Sequence, residues 1–315
     1  MSIKTSLKSA FPFLNGIKSK PALYREKIKY LGTPRLNGDA FNSWMVERII
    51  NKKPTCVCRL GSVELAALNH YIKHGGNREL AMSSKITNPL YICAGVFPEN
   101  MEMFTGFAEA YLNSLPEVDL TGIWYNPGEQ RLLKNNAKKT QFTELANLEP
   151  HYSTAPWPVH TPGLKVLVIT SFVHSSRAQA CELEGIWPQY DGLFKQCNFT
   201  FIQAPPHAAL VPPKHKSWLE GLNDLKAQMD AVDYDILIVG AGAWGLPLAV
   251  HAKLSGKIGY HLGGATQLLF GIKGKRWDDH PIISKLYNEH WTRPLAEEVP
   301  QKKAIFENTE GTGYW

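Results

Sequence analysis

The sequence has no apolar stretch of the ~18–20 residues that a membrane-crossing helix needs. Its start, Met1 to Leu14, has neither an unbroken apolar core nor a small-residue cleavage site. These absences argue against export and against a membrane span. The chain reads as cytoplasmic, with peripheral contact at the inner face of a membrane still open to it. Cysteine is scarce and unpaired in number: Cys56, Cys58, Cys93, Cys181 and Cys197 are five, none at zinc-finger spacing. That count excludes a simple disulfide framework and reads as reduced thiols. Cys56-Val57-Cys58 lies in an apolar run, where alternate side chains leave opposite faces of a strand. Internal repeats and low-complexity tracts are missing as well.

What is present suits an ordinary globular chain. The 315 residues are 44% hydrophobic and 20% charged, enough to bury a sizeable core in one large α/β domain or two smaller ones. A formal charge of +6 favours anionic partners, but the scattered Lys and Arg make no nucleic-acid footprint, and phosphorylated small molecules fit just as well. Residues 1–30 form a basic extension: Lys4, Lys8, Lys18, Lys20, Arg25, Lys27 and Lys29 interleave with Ile3, Leu7, Phe11, Phe13, Leu14 and Ile17. Such a segment is either a loosely docked tail or a surface that visits anionic membrane.

Short β-rich runs at 55–58, 119–125, 165–170, 199–203, 235–239 and 257–261 alternate with helical periodicity at 62–74, 101–114, 128–137, 175–189, 214–231 and 244–255. Strand–helix alternation predicts a doubly wound, mostly parallel Rossmann-like sheet with helices on both faces. The expected domain covers residues 31–290, in lobes of about 31–147 and 164–290. A Pro-rich stretch between them carries Pro150, Pro156, Pro158 and Pro162 and is a connector or a lid. Residues 291–315 read as a tail or surface strap. In such sheets ligands bind beyond the carboxyl ends of the strands, where crossovers change direction.

Three clusters stand at expected strand ends. Gly240-Ala-Gly242-Ala-Trp-Gly245 follows the run at 235–239 and matches G-x-G-x-x-G, a dinucleotide fingerprint. No Asp or Glu follows Asp235 until Asp278, however, and the ribose of NAD or FAD needs one about 20 residues on. The glycines therefore serve either an anion at a helix N-terminus or close helix–sheet packing. Downstream, His261, Gly263, Gly264, Thr266 and Gln267 place an imidazole, main-chain donors and an amide at one rim. Lys273, Lys275 and Arg276 add positive charge suited to phosphates, or form a solvated basic loop. Near the start, Arg59-Leu60-Gly61-Ser62-Val63-Glu64 follows the strand at 55–58. Ser62 suits a helix N-cap and Glu64 its first turn, whereas Arg59 is costly to bury and should face a cleft.

Taken together, Arg59 to Glu64, Trp124-Tyr125-Asn126-Pro127-Gly128-Glu129, Ile169-Thr170-Ser171-Phe172, Gly240 to Ala249 and His261 to Gly264 resemble, in order, the motifs of the GT-D fold glycosyltransferases. These are bacterial enzymes of polysaccharide and glycoprotein assembly. The resemblance spans most of residues 35–290. It implies a nucleotide-sugar donor, UDP-linked by expectation, and a glycan, lipid-linked or protein-linked acceptor. Arg59, Gly61, Ser62, Ser171 and the later glycines would then lie at the donor. One departure stands out: the D-x-E motif of that family reads Ser62-Val63-Glu64 here. A hydroxyl is a poorer ligand than a carboxylate for Mg or Mn, so a divalent cation is permitted but not required, with Glu64 its one candidate ligand.

Transfer through an oxocarbenium-like state needs a neutralised diphosphate and a base for the acceptor hydroxyl. Glu64 is the leading base, followed by Glu129 and His261. Trp124, Tyr125 or Trp244 could stack on a base or sugar. A binding module without turnover and a Rossmann-type oxidoreductase are the competing readings.

Overall fold

The computed structural model describes residues 20–75, 83–206, 209–300 and 313–315. The basic extension expected over residues 1–30 falls largely outside them. Helix α1 (Lys20–Lys29) and helix α2 (Gly38–Ile50) precede strand β1 (Thr55–Arg59). Then come α3 (Ser62–Lys73), α4 (Ser84–Ala94), α5 (Met101–Ser114), β2 (Leu120–Ile123), α6 (Glu129–Asn136) and β3 (Gln141–Glu144). The second half runs β4 (Lys165–Thr170), α7 (Val173–Gln179), α8 (Leu183–Ile186), β5 (Asn198–Gln203), α9 (Trp218–Asp230), β6 (Ile236–Gly240), α10 (Gly245–Leu254), β7 (Ile258–His261) and α11 (Thr266–Leu269).

All seven strands form one parallel sheet in the order β3-β2-β1-β7-β6-β4-β5. The fold is thus a doubly wound, Rossmann-like α/β sheet, as the alternation predicts. Central strands are buried on both sides and accordingly read as unbroken apolar runs such as Ile236-Leu237-Ile238-Val239. One core layer sets Cys56, Cys58, Leu167, Ile169, Leu237 and Val239 against α3, α5, α9 and α10. The opposite layer sets Val57, Val166, Val168, Ile238 and Tyr260 against α2, α7, α8 and α11. Connections that step toward the β3 edge cross the first layer and those that step toward β5 cross the second, so every crossover has the same hand.

The order creates the site. Strands β4 and β6 are neighbours, yet the chain leaves β4 toward one edge and leaves β6 toward the other. Pairing of β1 with β7 joins the two halves into a single sheet, through Val57 opposite Tyr260. Registers Thr170 with Gly240 and Val239 with His261 align the carboxyl ends of β4, β6 and β7 along one rim.

Several elements depart from the periodicity. The helix expected over residues 175–189 is broken into α7 and α8. Strand β3 is a short edge strand whose Gln141 and Glu144 hide it among polar residues. Helix α2 starts at a side-chain cap, Asn37 accepting from the Ala40 N–H at 2.8 Å. The Pro-rich stretch lies packed in the second layer: Trp157 is 1% exposed and Tyr260 donates to the Leu148 carbonyl at 2.6 Å.

Candidate functional site

Strand β1 ends on Arg59, and the turn into α3 is tight for a steric reason. Gly61 is the N-cap residue, with extended φ −63° and ψ 149°, so the cap lies one residue before Ser62. The Glu64 carboxylate folds back over Gly61 and occupies the space a Cβ there would need. This is the place taken by the acidic partner of a capping box, three residues into the helix. Any larger residue at 61 would displace the Glu64 carboxylate from this position, which ties the Gly61–Glu64 spacing to geometry.

Arg59 extends from the strand end across the face of Trp124, its guanidinium carbon 4.2 Å from the ring centroid. The same guanidinium approaches the turn after β7: a Cβ on Gly263 would lie 3.2 Å from the Arg59 Cζ. Gly263 has φ +68°, which glycine adopts without strain. The two distant clusters therefore meet, across the junction of β1 and β7.

His261 closes β7 beneath them. Its ring is 5% exposed and fills the space above Gly245 at the start of α10. Burial, reinforced by the nearby Arg59 charge and opposed by a bond to the Arg59 main chain, pushes its pKa down to about 3. The imidazole is neutral near neutral pH and too weak a base to take a proton efficiently there. Gly240 sits close under the same turn, where a Cβ would come within 2.5 Å of the Gly263 carbonyl and 2.6 Å of Thr266 Oγ1. Gly242 packs against the end of α4, its Cβ position 2.8 Å from the Ala94 carbonyl. The glycine fingerprint thus serves close packing at each of its three positions. Ser171 stands at the end of β4, and its carbonyl accepts from the Gln203 amide at 3.2 Å.

The rim carries buried polar atoms that no protein group satisfies. Among the described residues these include His261 Nδ1, Thr266 Oγ1, Gln267 Oε1 and both amide atoms of Asn126, all on residues no more than 5% exposed. Buried polar groups are ordinarily hydrogen-bonded, so several orphans at one rim fit a site that takes a polar ligand. Asn126 is the residue the sequence did not single out. Before Pro127-Gly128 it reads as a turn former, and nothing local distinguishes it from one. Tyr111 on α5 is a second. Burial and the Glu64 carboxylate hold its phenol well above the usual range.

Other expected residues stand elsewhere or do other work. Glu129 is fully buried, and its carboxylate accepts from the main-chain N–H of Trp124 at 3.2 Å and of Tyr125 at 2.8 Å. Tyr30 donates to it as well, at 3.2 Å. These bonds hold a loop in which Tyr125 takes φ +58°, and so position Trp124 under Arg59. Tyr125 itself bonds Arg35 at 2.7 Å. Trp244 is core, donating to the Trp218 carbonyl at 3.0 Å. Of the three aromatics only Trp124 meets the rim.

The three cations separate. Lys273 lies over the Tyr287 ring at 5.3 Å and Lys275 is exposed. Arg276 stacks on Trp277 and Tyr314, and the Tyr314 ring covers Gly264. Gln267 donates to the Tyr314 carbonyl at 3.3 Å. The described end of the chain is thus strapped along this rim. As for a metal, no group of three His, Cys, Asp or Glu side chains gathers among the described residues. Glu64 alone suits at most a cation that arrives with a diphosphate.

Comparison of the chain with protein-family models, with curated proteins and with solved structures finds no match.

Proposed function

We propose that this protein is a glycosyltransferase that takes a sugar from a nucleotide diphosphate donor, UDP-linked by preference, to a hydroxyl of a glycan or glycoconjugate acceptor. The observation that carries the reading is the meeting of Arg59 with the Gly263 turn, beside buried polar atoms left without protein partners. It is further supported by the ordered set of motifs that resembles the GT-D fold glycosyltransferases.

In this reading Arg59, held flat on Trp124, faces the diphosphate and neutralises the charge that grows on it. The acceptor oxygen attacks the anomeric carbon, and the bond from that carbon to the diphosphate oxygen breaks. The diphosphate leaves with the electron pair, and the acceptor proton passes to the Glu64 carboxylate. Glu129 and His261 take no proton; the first fixes the loop that carries Trp124 and the second shapes the floor of the turn. Asn126 and Gln267 offer amides to the sugar or nucleotide.

A panel of nucleotide sugars tests this by release of nucleoside diphosphate. Arg59→Ala is expected to slow release by about a hundredfold or more, and Glu64→Ala by about 10²–10⁴. Undiminished turnover in both variants would remove the site from the mechanism. A second reading rests on Ser62, which stands where the resembling family has Asp. There the site binds nucleotide without turnover, and a thermal shift with UDP would occur with no release from any donor.

A further inference from the structure

Helix α1 has one face docked on the Trp124–Tyr125 loop and one face that no described residue covers. On the docked side, the Tyr30 ring, just past the helix, meets Tyr125 edge-on at 5.5 Å, and Lys27 lies over the Tyr125 ring at 5.2 Å. The loop so gripped is the one that carries Trp124 beneath Arg59. On the open side, Tyr24, Ile28 and Leu31 are 67%, 45% and 74% exposed. Tyr24 and Ile28 stand about 40° apart on one side of α1, since each helical residue turns by about 100°, and Leu31 follows in the turn just past the helix. They make a stripe of large apolar side chains pointing into solvent.

Charge is segregated to the same segment. Residues 1–31 contain seven Lys and Arg and a single acid, Glu26, out of totals of 34 and 28, so the remainder holds 27 of each sign. The whole formal charge of +6 resides here, and the rest of the chain is balanced. Arg25 and Lys29 are exposed on α1 itself, the latter 2.7 Å from Glu26. Exposed apolar side chains beside the exposed cations Arg25, Lys27 and Lys29, in a segment whose sequence is strongly basic, are complementary to a surface with anionic headgroups above an acyl layer. A second copy of this chain would bring like charge against like at this face.

We propose that α1 docks on an anionic phospholipid bilayer, with Tyr24, Ile28 and Leu31 entering the headgroup–acyl boundary and the cations meeting lipid phosphates. Among the described residues no helix is long and apolar enough to cross a membrane, so this contact is peripheral. Because α1 grips the Trp124 loop, docking sets the rim beside the bilayer. Resting on the transferase reading, this assigns the acceptor to the lipid-linked class.

The test is co-sedimentation of the full chain with vesicles of phosphatidylcholine alone and of phosphatidylcholine with phosphatidylglycerol. The chain is expected to pellet with the anionic vesicles only, and less as salt rises. Tyr24→Ser/Ile28→Ser/Leu31→Ser should lower partition about tenfold or more, and Arg25→Gln/Lys29→Gln should lower it by about fivefold per cation. The triple variant should keep the wild-type thermal midpoint, because its altered side chains are exposed, and the double variant should stay cooperatively folded although it loses the Lys29–Glu26 ion pair. Three results overturn the proposal: no pelleting at low salt, equal pelleting with neutral vesicles, or undiminished pelleting of the triple variant. Self-association abolished by the triple variant, with no vesicle binding, overturns it in favour of an interface between copies. A UDP thermal shift measured without vesicles is independent of all these outcomes. Its loss with vesicle binding intact would sink the transferase reading alone, and the reverse would sink the membrane proposal alone.

Discussion

The His261 imidazole stands where a side chain on Gly245 would have to be: a Cβ built on Gly245 overlaps Nε2 and Cδ2 of that ring. Gly245 has an ordinary helical φ of −55°, so space and not backbone freedom demands glycine here. The last glycine of the G-x-G-x-x-G pattern therefore accommodates a neighbouring strand's histidine. Gly245→Ala must push the imidazole or α10 aside, and overpacking of this kind costs about 1–3 kcal/mol. Urea unfolding should show a lowered midpoint at unchanged slope. An unchanged midpoint would mean that the ring has room to move.

His261 should also leave a pH signature. Its folded pKa of about 3 lies below the ordinary 6.5, chiefly through burial, so between those values the unfolded chain binds the extra proton. Stability is then complete above about pH 6.5 and falls as pH drops toward about 3. His261→Gln keeps a polar group of similar reach and removes the titration, so its stability should decline less steeply over that window. Imidazole proton resonances offer a direct check, and a His261 transition near the ordinary value would refute the burial argument.

Much of the frame could be read from residues alone, because buried parallel strands are unbroken apolar runs. Residues 165–170 and 101–114 match the observed β4 and α5 at both ends. Strand β3 escaped notice since it is an edge strand, with exposed Gln141 and a polar composition. Helix α4 escaped because Pro89 lies inside it and reads as a breaker. At the site, the pairing of Arg59 with the Gly263 turn was legible from strand ends and a parallel order. The work of Glu129 was not. A carboxylate after Pro-Gly looks like any early-helix acid until the Trp124 and Tyr125 main chain is seen to bond it.

Glu298 ties the far end of the chain to the first turn of α7. Its carboxylate accepts from the His174 N–H at 2.8 Å and the Ser175 N–H at 3.2 Å, and the Ser175 hydroxyl donates to it as well. Ser175 in turn accepts from the Leu295 N–H at 2.9 Å, and the Trp315 indole donates to the Glu298 carbonyl at 3.0 Å. Replacing the carboxylate leaves these donors without an ionised acceptor. Glu298→Ala should therefore cost about 1–3 kcal/mol in urea unfolding, and Glu298→Gln less. Equal stability of both variants with the wild type would show that the strap adds nothing.

The two carboxylates of the rim should separate by experiment. Glu129 is fully buried with bonds from Trp124, Tyr125 and Tyr30, so its removal orphans main-chain N–H groups and frees a loop whose Tyr125 is held at φ +58°. Loss of one partner from a buried charged network costs about 3–5 kcal/mol, and Glu129→Ala should show it in unfolding. Glu64 is only half-buried at the first turn of α3, where losing a capping contact costs nearer about 1 kcal/mol. Turnover reverses the ranking in the transferase reading: Glu64→Gln keeps shape, loses the basic carboxylate and should leave UDP binding intact while release fails. Glu129→Gln keeps one amide oxygen, and since Trp124 and Tyr125 N–H both reach a single carboxylate oxygen in the wild type, it should keep much of its turnover once folded. If instead Glu129→Gln, folded and binding UDP, abolished release while Glu64→Gln did not, the proton would have to pass to Glu129, and the assignment of roles would be reversed.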